Sequence, residues 1–408
     1  MTSDRLQSDE PVRDQRSKLR FITALVALAL GLVSISDAMA NFIVKADPRA
    51  ALSLAPWNGT VAADAAQEAF SATPTSAKQS MPARLAVRAL RIDPTAVKAL
   101  IVLGSQARLR GETERSQRLF AHALSMSRRE LPAQLWAIEE AVSRGDIANA
   151  LMHYDLALRT SRRALELLYP TLAAAIEEPR VRAELLSILK SEPVWTKTFV
   201  NFITESGVNP TASVALLTDP AAGHLPVEDI NRTSLVNSLA MSGDLRGAWD
   251  YYSTFRTASR SQSRDGNFRA NIERPSVFDW SPQESPGVSA VIQADEEGGR
   301  FEFFASPSVG GVVLKQAQFL QPGRYTFKVV MEIDNQPAKY SPYWELNCQS
   351  GTEIWRSATQ KEEAQNKTTY TELSVPNDCP FQDLVFVVRP SDAIAGSSGR
   401  IISAEIIS

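Results

Sequence analysis

Histidine and cysteine are both scarce in this 408-residue chain, which contains three histidines and two cysteines. Two thiols cannot fill a four-ligand zinc site unaided, and the histidines, His122, His153 and His224, are far from Cys348 and Cys379 in the sequence. We therefore expect neither a metal site nor a cofactor.

The sequence also lacks the short motifs of common catalytic sites: a Gly-x-Ser-x-Gly elbow, a Walker loop, a His-Glu-x-x-His helix and a Gly-x-Gly-x-x-Gly turn. Glu139–Glu140 and Glu296–Glu297 are adjacent pairs, and adjacent residues point in different directions on a helix or a strand. Neither pair predicts an acid–base site, so we expect a protein that is not an enzyme. A glycan-modifying enzyme with its site in the C-terminal part is an alternative.

Excess charge of one sign is absent too, since the formal net charge is -3 and the pI is about 5.8. A dedicated nucleic-acid binder would carry a basic surface, so nucleic acid is not an expected partner. The composition, 44% hydrophobic and 22% charged, is typical of a folded protein. The length exceeds one ordinary domain and predicts two folded units with a tether.

The tether is an uncharged apolar run over residues 21–36, which follows several basic residues. Extended through Ala40 as a helix, the run is long enough to span a bilayer. The basic residues precede it, so the sequence predicts a cytoplasmic leader over 1–20, a transmembrane anchor within 21–44 and a periplasmic body. The expected location is thus the inner membrane, in a single pass.

Cleavage is the alternative to a retained anchor. Ala38-Met39-Ala40 is an A-x-A sequence after an apolar run of nearly the right length, as in a secretory signal peptide. Cleavage after Ala40 would release the body into the periplasm. Both possibilities export everything after residue 45.

Residues 46–256 are rich in Ala, Leu and Arg at helical spacing, which predicts a series of amphipathic helices. Several residues recur at intervals of 34, a period typical of repeat proteins. These residues are Ala89, Ala123 and Ala157; Gly111 and Gly145; and Phe120 and Tyr154. A glycine followed by Glu112 or Asp146 predicts the end of one helix and the start of the next. We expect hairpins in which the alanines allow close helix contact and the aromatic residues pack against the neighbouring hairpin.

These positions resemble the tetratricopeptide repeat. The matching residues are Gly145, Asp146, Ala150, Tyr154 and Ala157 in one repeat, and Leu103, Gly104, Gly111, Phe120 and Ala123 in the repeat before it. Ser116 replaces the usual alanine, and a further hairpin at Gly243 lies 98 residues after Gly145, so irregular helices are expected between 161 and 227. The resemblance implies a stacked array whose surface binds a protein partner. A generic helical bundle is the alternative.

Residues 257–274 are polar and turn-prone, which predicts a linker. Short alternating runs over 275–408 predict an antiparallel β-sandwich of jelly-roll type. The predicted strands are Val277 to Trp280, Val288 to Ile292, Phe301 to Phe304, Val312 to Leu314, Tyr325 to Ile333, Tyr343 to Cys348, Thr368 to Leu373, Asp383 to Val388 and Ile401 to Ile407. The fold class is therefore multidomain: an N-terminal transmembrane helix, a helical repeat array and a sandwich.

Side chains alternate between the two faces of a strand, so Trp344, Leu346 and Cys348 share one face. Cys348 is therefore expected to point into the core. Cys379 lies just before another strand. In an exported domain this pair predicts a disulfide, which stabilises the fold by closing a loop of about 30 residues. Two buried free thiols are the alternative.

The turn at 320–325, the Trp-x-Leu-x-Cys strand at 344–348 and the Ile-x-x-Ala-x-Ile strand at 401–406 look like those of carbohydrate-binding-module jelly rolls. The resemblance implies a sugar site, which needs aromatic faces beside hydrogen-bonding groups. The candidate ligand platform is Trp280, Tyr340, Tyr343 and Trp355, although such residues more often belong to a core or an ordinary surface.

The whole layout is similar to membrane-associated repeat proteins of Gram-negative bacteria, some of which accompany exopolysaccharide synthesis and export. It implies a non-catalytic periplasmic scaffold in exopolysaccharide or envelope assembly. The repeats would bind a protein partner, and the sandwich would bind polysaccharide or a second protein. A structural or adhesive envelope protein without glycan binding is the alternative.

Overall fold

The computed structural model describes residues 10–270, 272–294, 298–334, 338–357 and 368–408. The chain divides into two compact units, Met1–Leu168 and Tyr169–Ser408, called here the N-terminal and C-terminal units. The pair Glu296–Glu297 lies outside the described residues.

The N-terminal unit is helical throughout its described length. Its helices are α1 (Glu10–Ile43), α2 (Pro48–Leu54), α3 (Gly59–Ala72), α4 (Met81–Ile92), α5 (Val97–Leu109), α6 (Thr113–Met126), α7 (Leu131–Ser143) and α8 (Ile147–Thr160). The division between the units falls inside α9 (Arg162–Ala175).

Helix α1 is long and apolar enough to cross a membrane between Arg20 and Ile43. Its apolar side chains are open rather than packed inside the unit, with Phe21 67% and Leu30 63% exposed. The predicted apolar N-terminal helix is confirmed. A signal sequence passes the same test of length and composition.

The last turns of α1 pack against the helices that follow. Ala40 is fully buried, in a small cluster with Ala51 of α2. The Ser36 hydroxyl donates to the Leu54 carbonyl oxygen at 2.6 Å. Asp37 accepts a hydrogen bond from the side-chain amide of Asn58 at 2.7 Å. The end of α1 is therefore part of the folded N-terminal unit.

Helices α5 and α6, and then α7 and α8, form two successive hairpins that turn at Gly111 and Gly145. These glycines have φ angles of 74° and 69°, a left-handed conformation that favours glycine. Asp146 then caps α8 by accepting from the Asn149 backbone N–H at 3.1 Å. The glycine–acid pair thus ends one helix and begins another, as its sequence indicates.

The alanines and aromatic residues that recur every 34 positions lie between packed helices, whereas the recurring glycines lie in the turns. Ala89, Ala123 and Ala157 are fully buried, as is nearly all of Tyr154. Phe120 of α6 stacks on Trp136 of α7, with ring centroids 4.9 Å apart. Spacing alone therefore located contacts within and between hairpins, and the helical array is confirmed.

Ser116 is buried, and its hydroxyl donates to the Gly104 carbonyl oxygen at 3.0 Å. A buried hydroxyl needs such a partner. This hydrogen bond between α6 and α5 satisfies the buried hydroxyl.

The C-terminal unit contains more helices and two β-sheets. Its helices after α9 are α10 (Pro179–Leu189), α11 (Thr196–Glu205), α12 (Pro210–Leu217), α13 (Asp229–Met241) and α14 (Leu245–Tyr252), with 3-10 turns at Pro220–Ala222 and Ala338–Tyr340. Its strands are β1 (Ser281–Pro282), β2 (Val288–Ala294), β3 (Gly299–Ala305), β4 (Gly311–Gln318), β5 (Gly323–Ile333), β6 (Tyr343–Cys348), β7 (Glu353–Arg356), β8 (Thr368–Val375), β9 (Gln382–Val388) and β10 (Ser397–Ile407).

The strands form two five-stranded sheets, ordered β1-β4-β9-β6-β7 and β2-β3-β10-β5-β8, and every pairing is antiparallel. The inner faces of the two sheets enclose an aromatic core around Phe301, Phe327, Trp344 and Phe386. Alternate residues of β5 and β6 are buried, as period two predicts. The antiparallel sandwich is confirmed.

Cys348 and Cys379 form a disulfide, with sulfur atoms 2.05 Å apart. Cys348 is buried at the end of β6, and Cys379 is buried before β9. The predicted pairing is confirmed.

The predicted sandwich differs from the structure in three details, one of which is the two-residue strand β1, which was not predicted. Residues 277–280 form a turn rather than a strand, because the Asp279 carboxylate accepts the backbone N–H and hydroxyl hydrogen bonds of Ser276. Strand β7 was not predicted. It is four residues long, and a bulge interrupts its pairing with β6.

The segment predicted as a linker, 257–274, packs on the sandwich. Phe268 is fully buried in the sandwich core, 5.4 Å from Trp280 between ring centroids. Ser263 donates its backbone N–H to the Ile406 carbonyl oxygen at 2.9 Å. One aromatic residue in a polar stretch therefore attaches this segment to the sandwich.

The hairpin of α13 and α14 shares a second core with the same sandwich. Trp249 lies 5.1 Å from Phe278 and 5.4 Å from Phe319, and Phe319 stacks on Phe381 at 4.3 Å, all between ring centroids. The last helical hairpin and the sandwich consequently belong to one compact unit.

Candidate functional site

An ordered set of polar side chains covers the outer face of the sheet β1-β4-β9-β6-β7. Because Trp344, Leu346 and Cys348 of β6 point inward, the alternate residues of that strand point outward. We call this surface the polar face and define it as Lys315, Tyr343, Glu345, Asn347, Arg356 and Asp383.

Strand register brings these side chains together. Glu345 of β6 is paired with Arg356 of β7 on one side and with Val385 of β9 on the other. Val385 is in turn paired with Lys315 of β4. Directly paired residues on one face of a sheet lie close enough for their side chains to interact. Four strands therefore contribute to one surface.

The charges of the polar face are matched. Glu345 contacts Arg356 at 2.7 Å, and Asp383 contacts Lys315 at 3.0 Å. Hydrogen bonding to Glu353, together with the charge of Glu345, raises the pKa of Arg356 above its ordinary value. The face is rich in donors and acceptors but has no excess charge.

Tyr343 supplies the aromatic surface. Its ring is half-buried, and the guanidinium carbons of Arg356 and Arg389 lie 4.8 and 4.7 Å from its centroid. Arg389 also donates to the Lys339 carbonyl oxygen at 3.1 Å. These cation–π contacts orient the tyrosine and place planar donors around it.

A groove of about 460 Å³ continues the polar face toward helix α13. Lys315 and Asp383 belong to both the polar face and the groove. Gln349 adds an amide, Phe381 adds an aromatic side chain, and the 88%-exposed Met241 stands on the helical side. The surface thus extends beyond the sheet into a concave region.

The structure separates the four residues of the predicted ligand platform. Trp280 is 4% exposed, and its indole N–H donates to the Asp265 carbonyl oxygen at 3.1 Å, so the ring belongs to the core. Trp355 is half-buried and packs on Phe327, 5.2 Å away between ring centroids. These two tryptophans are therefore not on the polar face.

The two tyrosines of that set have different surroundings. The Tyr340 hydroxyl donates to Asp392, and its ring lies 4.3 Å from the Lys339 ammonium group. Tyr343 alone of the four belongs to the polar face. Its polar neighbours were not predicted, although the alternation of β6 already marked Glu345 and Asn347 as outward-facing.

The N-terminal unit has a smaller groove of about 210 Å³ between the α5–α6 hairpin and α7. Glu139 pairs with Arg108, whereas Glu140 accepts a hydrogen bond from Gln117 at 3.2 Å. Trp136 lines the same groove. The two adjacent carboxylates therefore bind different partners within the array.

The histidines are not gathered into a site. Burial lowers the pKa of His153, whose Nδ1 lies 2.7 Å from the Gln134 side-chain oxygen. Across the described ranges, no group of three or more His, Cys, Asp or Glu side chains is placed to hold a metal ion.

No protein-family model matches this sequence, and no curated protein matches it. Solved structures similar to the chain include a CBM4 domain, at 10% identity over 36% of this chain and 98% of that one, with a TM-score of 0.26. The CBM22-1 xylan-binding domain from Paenibacillus barcinonensis Xyn10C matches at 10% identity over 37% of this chain and 97% of that one, with a TM-score of 0.24.

An arabinose-bound MgGH51 α-L-arabinofuranosidase matches at 14% identity over 36% of this chain, with a TM-score of 0.27. The match spans 26% of the arabinofuranosidase chain. Because these TM-scores are low, the similarities do not indicate what this chain binds. Its function is therefore inferred from its own residues.

Proposed function

We propose that this protein is a non-catalytic glycan-binding protein whose polar face binds a polysaccharide. The observation that carries the proposal is the position of Tyr343 beside a row of hydrogen-bonding side chains on an open sheet face. Sugars offer hydroxyl groups to polar side chains and C–H groups to aromatic rings, so their sites combine both. The polar face has this combination.

The shape of the surface favours a polymer over a small molecule. The outward-facing residues of β6, from Tyr343 to Asn347, extend the face by about 13 Å along the strand, at about 3.3 Å per residue. The groove beside Lys315 and Asp383 continues it. A chain of sugar residues would contact the whole length, whereas one sugar would occupy a small part.

The ion pairs of the polar face support a binding role without catalysis. A glycoside hydrolase needs two carboxyl groups flanking the bond, one of which donates a proton. Glu345 and Asp383 each contact a cation, Arg356 and Lys315 respectively. We therefore assign them to positioning and hydrogen bonding.

The proposed location is the inner membrane, with α1 as a single-pass anchor, residues 1–20 in the cytoplasm and the body in the periplasm. The Cys348–Cys379 disulfide favours an oxidising compartment. Cleavage after Ala40 would remove Ser36 and Asp37 together with their hydrogen bonds to α2 and Asn58. These contacts favour a retained anchor over a cleaved signal peptide.

For the helical array, we propose that its hairpins are tetratricopeptide-like and bind a protein partner through the groove lined by Trp136 and Gln117. The 34-residue spacing and the stacking of Phe120 on Trp136 support this assignment. Together, the two activities would suit a scaffold in exopolysaccharide or envelope assembly.

A glycan array tests the sandwich proposal. The full chain is purified in a detergent without a sugar headgroup and compared with Tyr343→Ala and Tyr370→Ala. Tyr370 is 63% exposed on the outer face of the other sheet, so it is a matched control. We expect Tyr343→Ala to weaken binding at least tenfold and Tyr370→Ala to leave it unchanged.

If the wild-type chain binds no glycan on the array, glycan binding is refuted and a structural envelope role is favoured. Equal losses in the two variants would also contradict the assignment to the polar face. Release of new reducing ends from a bound glycan would show that the protein is an enzyme.

A further inference from the structure

A cavity of about 570 Å³ lies in the C-terminal unit between the end of α14, residues 264–270 and 272–273, and strands β1 and β2. None of its lining residues belongs to the polar face. Pro275 lines both this cavity and the groove beside the polar face, so it lies between the two. The cavity is therefore a separate concave surface.

The lining includes two buried N–H donors. Arg264 Nη1 and Arg256 Nε are buried and have no hydrogen-bond partner among the residues that the structure describes. Buried N–H groups are normally hydrogen-bonded, because losing water without a replacement costs free energy. A ligand that brings acceptors into the cavity would satisfy both.

The two guanidinium groups are already fixed by other contacts. Arg264 Nε donates to the Tyr252 hydroxyl at 3.3 Å, and the guanidinium carbon lies 4.5 Å from the centroid of that ring. Arg256 pairs with Asp229. Their free N–H groups are thus held in place, and a ligand would lose little affinity in ordering them.

The cavity offers no excess positive charge. Asp265 and Asp279 line it together with Asp229, and burial raises the pKa of Asp265. Asp279 accepts hydrogen bonds from the Tyr252 hydroxyl at 2.7 Å and from Ser276. An anion would meet these carboxylates as well as the two guanidinium groups. A neutral ligand avoids that repulsion.

We propose that this cavity binds a neutral sugar residue, whose hydroxyl oxygens accept hydrogen bonds from Arg264 Nη1 and Arg256 Nε. A hydroxyl group both accepts and donates, so a neighbouring hydroxyl can donate to Asp265, which retains acceptor capacity. A carboxylate or phosphate only accepts. Ile292 contributes to an apolar wall suited to the C–H groups of a sugar ring.

This site does not depend on the polar face, since the two share no residue. If both bind, one polymer chain or two neighbouring chains can engage the same unit twice. The second contact would then form at a high effective concentration and strengthen attachment to a polymer.

The test uses the full chain in a detergent without a sugar headgroup and neutral hexasaccharides of glucose, xylose, mannose and galactose. Hexagalacturonate is the anionic comparison. We expect at least one neutral hexasaccharide to slow hydrogen exchange in residues 252–282, and hexagalacturonate to leave that exchange unchanged. No slowing by any neutral hexasaccharide, or slowing by hexagalacturonate alone, would overturn the proposal.

Two variants assign the effect to the cavity. Arg256→Met removes one donor and should raise at least tenfold the hexasaccharide concentration that half-saturates the slowed exchange in residues 252–282. Val291→Trp adds bulk at a lining residue that is 44% exposed, and it should abolish the slowed exchange in residues 252–282 without unfolding the chain. Tyr343→Ala should leave the slowed exchange intact. Loss of the effect in Tyr343→Ala but not in Val291→Trp would place the sugar on the polar face and refute the cavity site.

Discussion

The N-terminal and C-terminal units differ in how far apart in sequence their contacting residues lie. In the N-terminal unit, Lys98 pairs with Asp64, 34 positions away, and Arg110 donates to the Ser76 carbonyl oxygen over the same separation. In the C-terminal unit, the backbone N–H of Ile406 donates to the Ser263 hydroxyl across 143 positions. Repeated local contacts build the first unit, whereas distant pairings build the second.

This difference determines how a binding surface forms in each unit. A repeat array places similar residues at similar positions, so its surface follows from the period of the sequence. In a sandwich, a surface is assembled from strands that are neighbours in space but not in sequence. The polar face draws on β4, β6, β7 and β9, and its composition depends on their register.

The largest expected effect comes from Trp249→Ala, which removes the side chain that joins the last hairpin to the sandwich. Truncating a buried tryptophan typically costs about 3–5 kcal/mol. We expect the free energy of unfolding of the C-terminal unit to fall by about that amount, measured by denaturant titration with peptide-resolved hydrogen exchange. Trp57→Ala is the control, because Trp57 is 46% exposed. An effect of Trp57→Ala as large as that of Trp249→Ala would contradict the shared core.

The second-largest loss of stability is expected for the double variant Cys348→Ala/Cys379→Ala, which lacks the disulfide. The bond closes a sequence separation of 31. Loop-closure entropy predicts a loss of about 4 kcal/mol for a loop of this size. Hydrogen exchange should accelerate in β6 and β9 and stay unchanged in α5 to α8. Equal acceleration in those helices would show that the units are not energetically separate.

The smallest expected effects come from Gly111→Ala and Gly145→Ala. Both glycines have left-handed backbones, and an added Cβ in that conformation costs roughly 1–2 kcal/mol. Similar losses of N-terminal-unit stability at both positions would confirm that the turns are equivalent. Gly223→Ala is a control in the C-terminal unit, whose stability it should leave unchanged because a φ of -58° suits any residue. Unequal losses at Gly111 and Gly145 would weaken the repeat interpretation.

Much of the fold could be predicted from local patterns. The apolar helix, the buried alanines, the two glycine turns and the disulfide were all predicted from composition and spacing, and the structure confirms them. Strand β6 was predicted with the bounds that it has. These features depend on residues close together in sequence or on a regular period.

The candidate sites were harder to predict from the sequence. Trp280 was a reasonable platform residue by type, yet its position beside Phe268 and Trp344 places it in the core. The segment 257–274 was expected to be a linker because its composition is polar. The buried Phe268 attaches the segment to the sandwich, but one phenylalanine hardly changes the composition of a polar stretch. The composition therefore did not predict this contact.

The sequence by itself determined that the chain has an apolar N-terminal helix, a helical array of 34-residue period and an antiparallel sandwich with a cysteine pair. The tertiary structure alone decided which polar side chains meet on the polar face and which arginine nitrogens of the cavity have no hydrogen-bond partner among the described residues. The physical reason is the separation in sequence between the residues that determine each feature. Helical and strand periodicity is encoded within a few residues, whereas a site depends on register and docking between distant segments.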